Sequence, residues 1–311
     1  MSGYHWGSLA VQERVGVREH AVHVGRSVTP HIKDVAAAFL GLQPHLVVGA
    51  ADPGGMLWAS LLTGAPGFVR ATGPDRIAVK GGIPEGDPLA EALATAGTRV
   101  GTISLDPRTR RRMRLGGTLE VTPGGFALAA ERVFANCPKY LQKRQPVQLV
   151  AEGAGVVRRG DALTPDQERA VRAADTFFVA TSAGADGADA SHRGGMPGFV
   201  EVLSPAELAW PDYAGNAMFL TLGNLLADPR AGLLFPDWES GALLQLSGRA
   251  EPEFGAGGER RVRFRIESVV ESVHPGRLRW SAPEYSPANP ALPAPPWQPA
   301  RQGPHLGRTT T

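Results

Sequence analysis

Residues 190–202 read ASHRGGMPGFVEV, so that Ser191, His192 and Arg193 stand directly before Gly194 and Gly195. Two further segments gather polar groups beside glycine. WPDYAGN holds Asp212, Gly215 and Asn216, and TLGNLLADPR holds Thr221 and Asn224. Arginine offers a planar set of fixed donors that suits a phosphate or a carboxylate. Hydroxyls, amides and backbone N–H groups freed near glycine add neutral donors to an anion. This set suits a phosphorylated ligand better than a metal. The histidines and carboxylates show no HExxH spacing, and the single cysteine, Cys137, has no second thiol to ligate with. No GxGxxG follows a strand, and neither GxxxxGK[ST] nor GxSxG is present.

The same frame occurs earlier without the polar groups. Residues 59–70 read ASLLTGAPGFVR, with Leu61 and Leu62 where the later copy has His192 and Arg193. The offset is 191 − 60 = 131. At that offset, without gaps, residues 46–120 match residues 177–251 at 18 positions, against about 5 by chance for this composition. Arg99, Gly101 and Asp106 meet Arg230, Gly232 and Asp237; Leu115, Gly117 and Glu120 meet Leu246, Gly248 and Glu251. GGIPE (81–85) stands where the later copy has DYAGN (212–216). Scaffold residues are shared and polar ones differ, which implies two halves of like fold with a full ligand set only in the second.

The elements that must position these groups are short. Thr29-Pro30 and Thr164-Pro165 each read as a helix start, and Gln167 completes a capping box with Thr164. Each start leads to an apolar β-branched run, HLVVGA (45–50) and TFFVAT (176–181), and each copy ends on a long alternating strand, 126–134 and 261–269. Several short strands per copy with one or two helices predict a mainly β chain: two small antiparallel barrels forming a pseudo-dimer within one chain. The expected divisions are an N-terminal extension (1–28), a first barrel (29–144), a second barrel (145–281) and a Pro-rich tail (282–311). The tail is expected to be extended or disordered, with Trp297 touching the surface.

Other features read as structural. Arg110-Arg111-Arg112 reads as a solvated face, with reach to a cofactor phosphate or an acidic partner as the alternative; Arg261, Arg263 and Arg265 read as one solvated strand face, Cys137 as a packed thiol and Trp58 as core or barrel-interface packing. A net charge of +2 gives no electrostatic reason for nucleic-acid or membrane partners. The most apolar stretch, around Ala36–Ala51, is broken by Gln43, Pro44 and His45 and falls short of a bilayer span. With no basic-then-apolar leader and one cysteine, a cytoplasmic setting is expected.

The segment SHRGGMPGFVEVL, with LAWPDYAGNAMFLTLGNLLADPRAGLLF and LLQLSGRA, resembles the pyridoxamine-phosphate-oxidase-like flavoproteins, which bind FMN on a split β-barrel. GMLWASLLTGAPGFV, TRRRMRLGG and NCPKYLQKR resemble their long tandem members, in which the first barrel is degenerate. The resemblance implies FMN as cofactor, held where two barrels meet by Ser191, His192, Arg193, Gly194, Asp212, Gly215, Asn216, Thr221 and Asn224. It implies an FMN-dependent oxidoreductase acting on a small-molecule substrate, with an electron donor such as NAD(P)H, and a possible homodimer. The Arg-rich substrate-phosphate signature of the oxidases proper is absent, so the vitamin-salvage reaction does not carry over. No catalytic acid or base stands out; His192 reads as a cofactor contact. A non-catalytic protein that binds flavin, haem or deazaflavin on the same fold is the alternative.

Overall fold

The computed structural model describes residues 4–149, 156–184, 187–273, 278–292 and 297. Two helices, α1 (Trp6–Val15) and α2 (Arg18–Gly25), precede α3 (Asp34–Gly41). The first sheet holds β1 (His45–Ala51), β2 (Leu57–Thr63), β3 (Val69–Gly73), β4 (Arg76–Lys80), β5 (Arg99–Asp106), β6 (Arg111–Thr122) and β7 (Gly125–Ala135). After β8 (Pro146–Leu149), β9 (Val156–Gly160) and α4 (Pro165–Ala173), the second sheet holds β10 (Thr176–Ser182), β11 (Ala188–Gly194), β12 (Glu201–Ser204), β13 (Glu207–Pro211), β14 (Arg230–Pro236), β15 (Leu243–Phe254) and β16 (Arg260–Val273). Helix α5 (Leu220–Ala227) lies between β13 and β14, and β17 (Leu278–Trp280) pairs with β8. No helix among the described residues is long and apolar enough to cross a membrane.

The strand orders are β2-β1-β5-β6-β7-β4-β3 and β11-β10-β14-β15-β16-β13-β12, which is one order written twice. Neither sheet closes, so each is a split barrel. The registers repeat at the offset of 131: Val47 pairs with Leu61 as Phe178 pairs with His192, and Ile103 with Arg114 as Leu234 with Gln245. Even the bulges repeat, at Gly116/Gly117 and at Ser247/Gly248. A bulge re-aims every side chain beyond it, so its recurrence keeps the same faces inward in both copies. Phe68 and Phe199 close matching turns: each N–H donates to the carbonyl three residues back, at 2.9 Å, after a glycine at φ 92°.

Each barrel buries its own core, around Leu46, Ile77, Leu115 and Phe126 in the first and Phe177, Trp210, Leu246 and Phe264 in the second. Between the barrels lies a third apolar cluster that includes Val47, Ile103, Phe178, Ala190 and Leu234. Burying a side chain such as Phe178 contributes about 1.5–3 kcal/mol. The barrels approach until backbone meets backbone. A Cβ on Gly101 would lie 2.5 Å from the carbonyl carbon of Asp189 in β11; one on its counterpart Gly232 would lie 2.5 Å from Trp58 Cα in β2. Gly49 and Ala180, also counterparts, face each other across the centre, where a Cβ on Gly49 would meet that of Ala180 at 2.7 Å.

One helix start differs from the sequence reading. Thr164 and Gln167 form the expected capping box, with Thr164 N–H donating to Gln167 Oε1 at 3.0 Å. Thr29-Pro30 does not start a helix: the Thr29 backbone bonds to Val133 in β7 through both its N–H and its C=O, and α3 begins at Asp34. Both tail expectations fall partly on described residues. Residues 281–292 run along the surface without regular structure, and the Arg261 guanidinium lies 4.4 Å from the Trp297 ring centre. Residues 298–311 lie outside the described residues. Arg261 and Arg263 also pair with Glu253, so that strand face is salt-bridged rather than merely solvated.

His45 gives the fold a pH dependence. Its ring sits edge-on to Trp280 at 5.7 Å and Trp238 at 6.2 Å, and neither ring nitrogen has a hydrogen-bond partner. Burial pushes its pKa from 6.5 down to about 4, with Asp106 opposing and Arg108 adding to the shift. The folded protein therefore binds this proton less readily than the unfolded chain. The stability contribution is complete above pH 6.5 and is lost as pH falls toward 4, by about 3 kcal/mol at pH 4. Urea denaturation at pH 7 and 4.5 should show His45→Phe losing about 2 kcal/mol less than the wild type between the two. Equal losses would contradict this role for His45.

Candidate functional site

A cleft opens where β11, the edge strand of the second sheet, crosses β5 and β6 of the first. Pairing with β10 sets the faces of β11. Ser191 lies opposite Val179 and Arg193 opposite Phe177, both in the second core, while His192 lies opposite Phe178 in the inter-barrel cluster. Gly194, the last residue of β11, has no room for a side chain because the Tyr140 carbonyl occupies the space a Cβ would need. The turn after β13 brings Asp212, Gly215 and Asn216 to the cleft, and α5 brings Thr221. The Thr221 and Ser191 hydroxyls are 3.1 Å apart and both side chains are buried. Asn216 Oδ1 accepts from Met218 N–H at 3.2 Å.

Eight of the nine residues named from sequence thus meet at one cleft. Asn224 does not. Its Nδ2 donates to Thr181 Oγ1 at 2.9 Å, and its Oδ1 lies 2.9 Å from His5 Nε2. Three positions after Thr221, Asn224 is offset by about 60° round α5, enough for its amide to meet Thr181 and His5 instead. Asn224 ties the start of α1 to β10, outside this cleft.

The larger correction concerns the first copy. The sequence gives it only packing surface, and favours a solvated face for Arg110–Arg112 over a phosphate contact. Arg112 and Arg114, two apart on β6 and so on one face, instead enter the cleft, together with Cys137, Lys139 and Tyr140 from the segment after β7. Arg111 is exposed, with its guanidinium 5.6 Å from the Phe39 ring, and Arg110 turns the other way. Cys137 is half-buried in the cleft wall rather than packed in a core. Counterparts of Arg112 and Arg114 in the second copy are Leu243 and Gln245. The pseudo-symmetric position therefore combines Leu61 and Leu62 with Leu243 and Gln245. There Gln245 Nε2 donates to Ser60 Oγ at 3.0 Å, and Ser60 Oγ donates to Asp87 Oδ1 at 2.6 Å. Burial raises the Asp87 pKa. The cleft is cationic; its pseudo-symmetric position is apolar with a carboxyl group.

Four basic side chains, Arg112, Arg114, Lys139 and Arg193, line the first cleft against one carboxylate, Asp212. Arg114 is paired with Asp189. Arg193 Nη1 donates to Ser191 Oγ at 3.0 Å and its Nη2 lies 3.7 Å from Asp212, which Arg260 also holds at 3.0 Å. Arg112 differs: among the described residues no carboxylate pairs with it. Its Nη2 donates to the Cys137 carbonyl at 2.6 Å, its Nη1 lies 2.8 Å from His192 Nδ1, and its buried Nε has no acceptor. Burial, then Arg114 and Arg193, push the Arg112 pKa down to about 10. Burial likewise lowers Arg193, with Asp212 opposing.

His192 is held neutral. Burial, then Arg112 and Arg193, lower its pKa well below 6.5. Arginine has no acceptor, so in the Arg112–His192 bond the ring nitrogen Nδ1 must be the acceptor. The neutral ring then carries its proton on Nε2, which is buried and has no partner. That is a donor awaiting an acceptor, and an unmet buried donor is costly.

Backbone strain gathers at the same place. Tyr140 (φ 66°), Ala217 (φ 59°) and Phe219 (φ 52°) are left-handed without being glycine, and all three line the cleft. Each costs on the order of 1 kcal/mol or more and persists only where its surroundings hold it. Tyr140 Oη donates to the Ala214 carbonyl at 2.9 Å, and the Arg260 guanidinium covers Phe219 at 5.1 Å.

No family model and no curated relative matches the chain. Among solved structures it is similar to a putative pyridoxamine 5'-phosphate oxidase from Lactobacillus delbrueckii, at 18% identity and a TM-score of 0.30 over 35% of this chain and 94% of that one. HupZ of Group A Streptococcus matches at 14% and 0.28 over 34% of this chain and 90% of that one. A FAD-binding protein from Mesorhizobium loti matches at 15% and 0.27 over 38% of this chain and 98% of that one.

The donor set of the cationic cleft fits a phosphate. It offers one half-buried guanidinium with no carboxylate partner among the described residues, two further guanidinium groups and two hydroxyls. The cleft's volume is about 110 Å³, below the ~300–1,000 Å³ usual for small-molecule pockets and of the order a phosphate-sized group needs. Among the described residues no group of three or more His, Cys, Asp or Glu could hold a metal ion.

Proposed function

We propose that the cleft between β11 and β6 binds flavin mononucleotide by its phosphate and that the protein is an FMN-dependent oxidoreductase of a small-molecule substrate. The observation that carries this reading is Arg112, a half-buried cation with no carboxylate partner among the described residues and a buried Nε without an acceptor, where a phosphate dianion would fit. Arg112 and Arg193 would hold the phosphate, Ser191 and Thr221 would donate to its oxygens, and His192 Nε2–H would donate to an acceptor of the same ligand. Asp212 keeps Arg193 and Arg260 in place without occupying Arg112. When bound, the flavin would supply the hydride or electron transfer, and the protein orientation and electrostatics. The cleft's own titratable groups fit that division: His192 is held neutral, and burial raises both Tyr140 and Tyr213 above their ordinary range. None of these three is tuned to exchange protons near neutral pH.

That same observation keeps a second reading open, a flavin carrier with no dedicated substrate. The absorption spectrum of protein reconstituted with FMN and freed of excess ligand tests binding. Flavin bands are expected; a haem Soret band in the protein as purified, or no retained flavin, would overturn the FMN reading. Stopped-flow mixing with NADH or NADPH then separates enzyme from carrier, since a carrier leaves the flavin oxidised over the turnover time.

A further inference from the structure

We propose that the C-terminal strap, residues 278–292, is a positioning element of the cationic cleft and acts on it through Gln142 and Arg110. The proposal rests on the phosphate-binding reading of the cleft for its functional consequence. The wall formed by Asn136–Tyr140 carries Cys137, whose carbonyl holds Arg112, and Tyr140, whose backbone is left-handed and abuts Gly194. Tyr140 Oη holds that wall from the cleft side, through the Ala214 carbonyl. The residues that follow it are clamped from behind.

Gln142 is buried and uses both ends of its amide. Its Nε2 donates toward the carbonyls of Tyr140, Asp175 and Gly195 at 3.1–3.2 Å. Its Oε1 accepts from Ser286 N–H at 2.8 Å and from Asn289 Nδ2 at 3.1 Å, both in the strap. Arg110 makes a second link. Its Nε donates to the Leu141 carbonyl at 2.8 Å, and its Nη2 to the Glu284 and Tyr285 carbonyls at 3.1 Å. Backbone bonds between Lys143 and Glu284, 2.9 Å in each direction, and pairing of β8 with β17 complete the clamp. The chain from 140 to 149 thus has the cleft at one end and the strap along its length. Gln142 and Arg110 do not line the cleft. They are positioning residues, and losing them loosens the carbonyl that orients Arg112 without removing any ligand contact.

Two full-length variants test this. Arg110→Met cuts the strap from Leu141, and Asn289→Ala frees one side of Gln142; neither touches the cleft. FMN affinity is expected to fall about five- to tenfold in Arg110→Met and less in Asn289→Ala, with unchanged phosphate-dependent competition for the site. Without any ligand, amide hydrogen exchange at residues 136–142 is expected to quicken in both, while β14 and β15 keep wild-type rates. FMN affinity within twofold of wild type in both variants, or unchanged exchange at 136–142, would overturn the coupling. Wild-type protein that fails to bind FMN would contradict the cleft reading instead, and the exchange comparison would still decide whether the strap holds the wall.

Discussion

Arg112→Leu should all but remove FMN binding while leaving the protein folded. The lost contact is a charge-assisted one from a half-buried guanidinium, worth about 2–3 kcal/mol, or roughly 30- to 150-fold in Kd. Leucine is what the second copy carries at the equivalent position, Leu243, in a stable strand of the same register. Removing one of three neighbouring cations also relieves repulsion that depresses the Arg112 pKa. Thermal stability without ligand is therefore expected to hold or rise as affinity falls, a combination that general damage would not produce. Arg112→Lys should fall between, because a point charge lacks the planar fork. Arg193→Leu should cost roughly tenfold to a hundredfold and leave Asp212 with Arg260. An FMN titration of Arg112→Leu that overlays the wild type would remove the phosphate from this place.

Gly101→Val should separate the barrels. The added Cβ would fall 2.5 Å from the carbonyl carbon of Asp189, an atom in the middle of the opposing strand. Backbone cannot swing aside as a side-chain end can, and the strand that would have to move carries Ser191–Arg193. Overpacking of a tight interior costs about 1–3 kcal/mol where side chains can yield; here the loss should exceed about 3 kcal/mol, and Gly232→Val should behave alike. Gly41→Ala, with open space around its Cα, is the control and should stay within about 1 kcal/mol of wild type. Denaturant unfolding measures all three. Equal midpoints for Gly101→Val and wild type would show that the barrels do not meet as described.

Much of this architecture is legible in the chain because duplication writes it twice. The matched positions are those where backbone geometry permits few residues, such as the turn glycines Gly67 and Gly198 and the close-approach glycines Gly101 and Gly232. The cleft was half legible. His192 and Arg193 stand out against Leu61 and Leu62 because a polar residue there serves no packing purpose. The same comparison run in the other direction, Arg112 and Arg114 against Leu243 and Gln245, holds the missing half. It is harder to read because a run of three arginines fits a solvated surface as readily as a phosphate contact, and because strand alternation sends only the alternate residue inward. Asn224 misled for a related reason. Its neighbour Thr221 faces the cleft, but three residues on a helix return only approximately to the same side, and the partner that claims Asn224, Thr181, is distant in sequence. The helix expected at Thr29 failed because a strand partner, Val133, outbid a local capping signal.

The central claim is that one cleft per chain binds the flavin, built from β11 of the second copy and β6 of the first. Its pseudo-symmetric counterpart is closed to a phosphate by Leu61, Leu62 and Leu243 and by the carboxyl of Asp87, because an unpaired dianion cannot be desolvated against such a wall. Flavin released by heat from fully loaded protein, counted against protein concentration, tests this most directly. One flavin per chain is expected. Two per chain would show that the counterpart position binds as well, and none would show that the cationic cleft serves another anion.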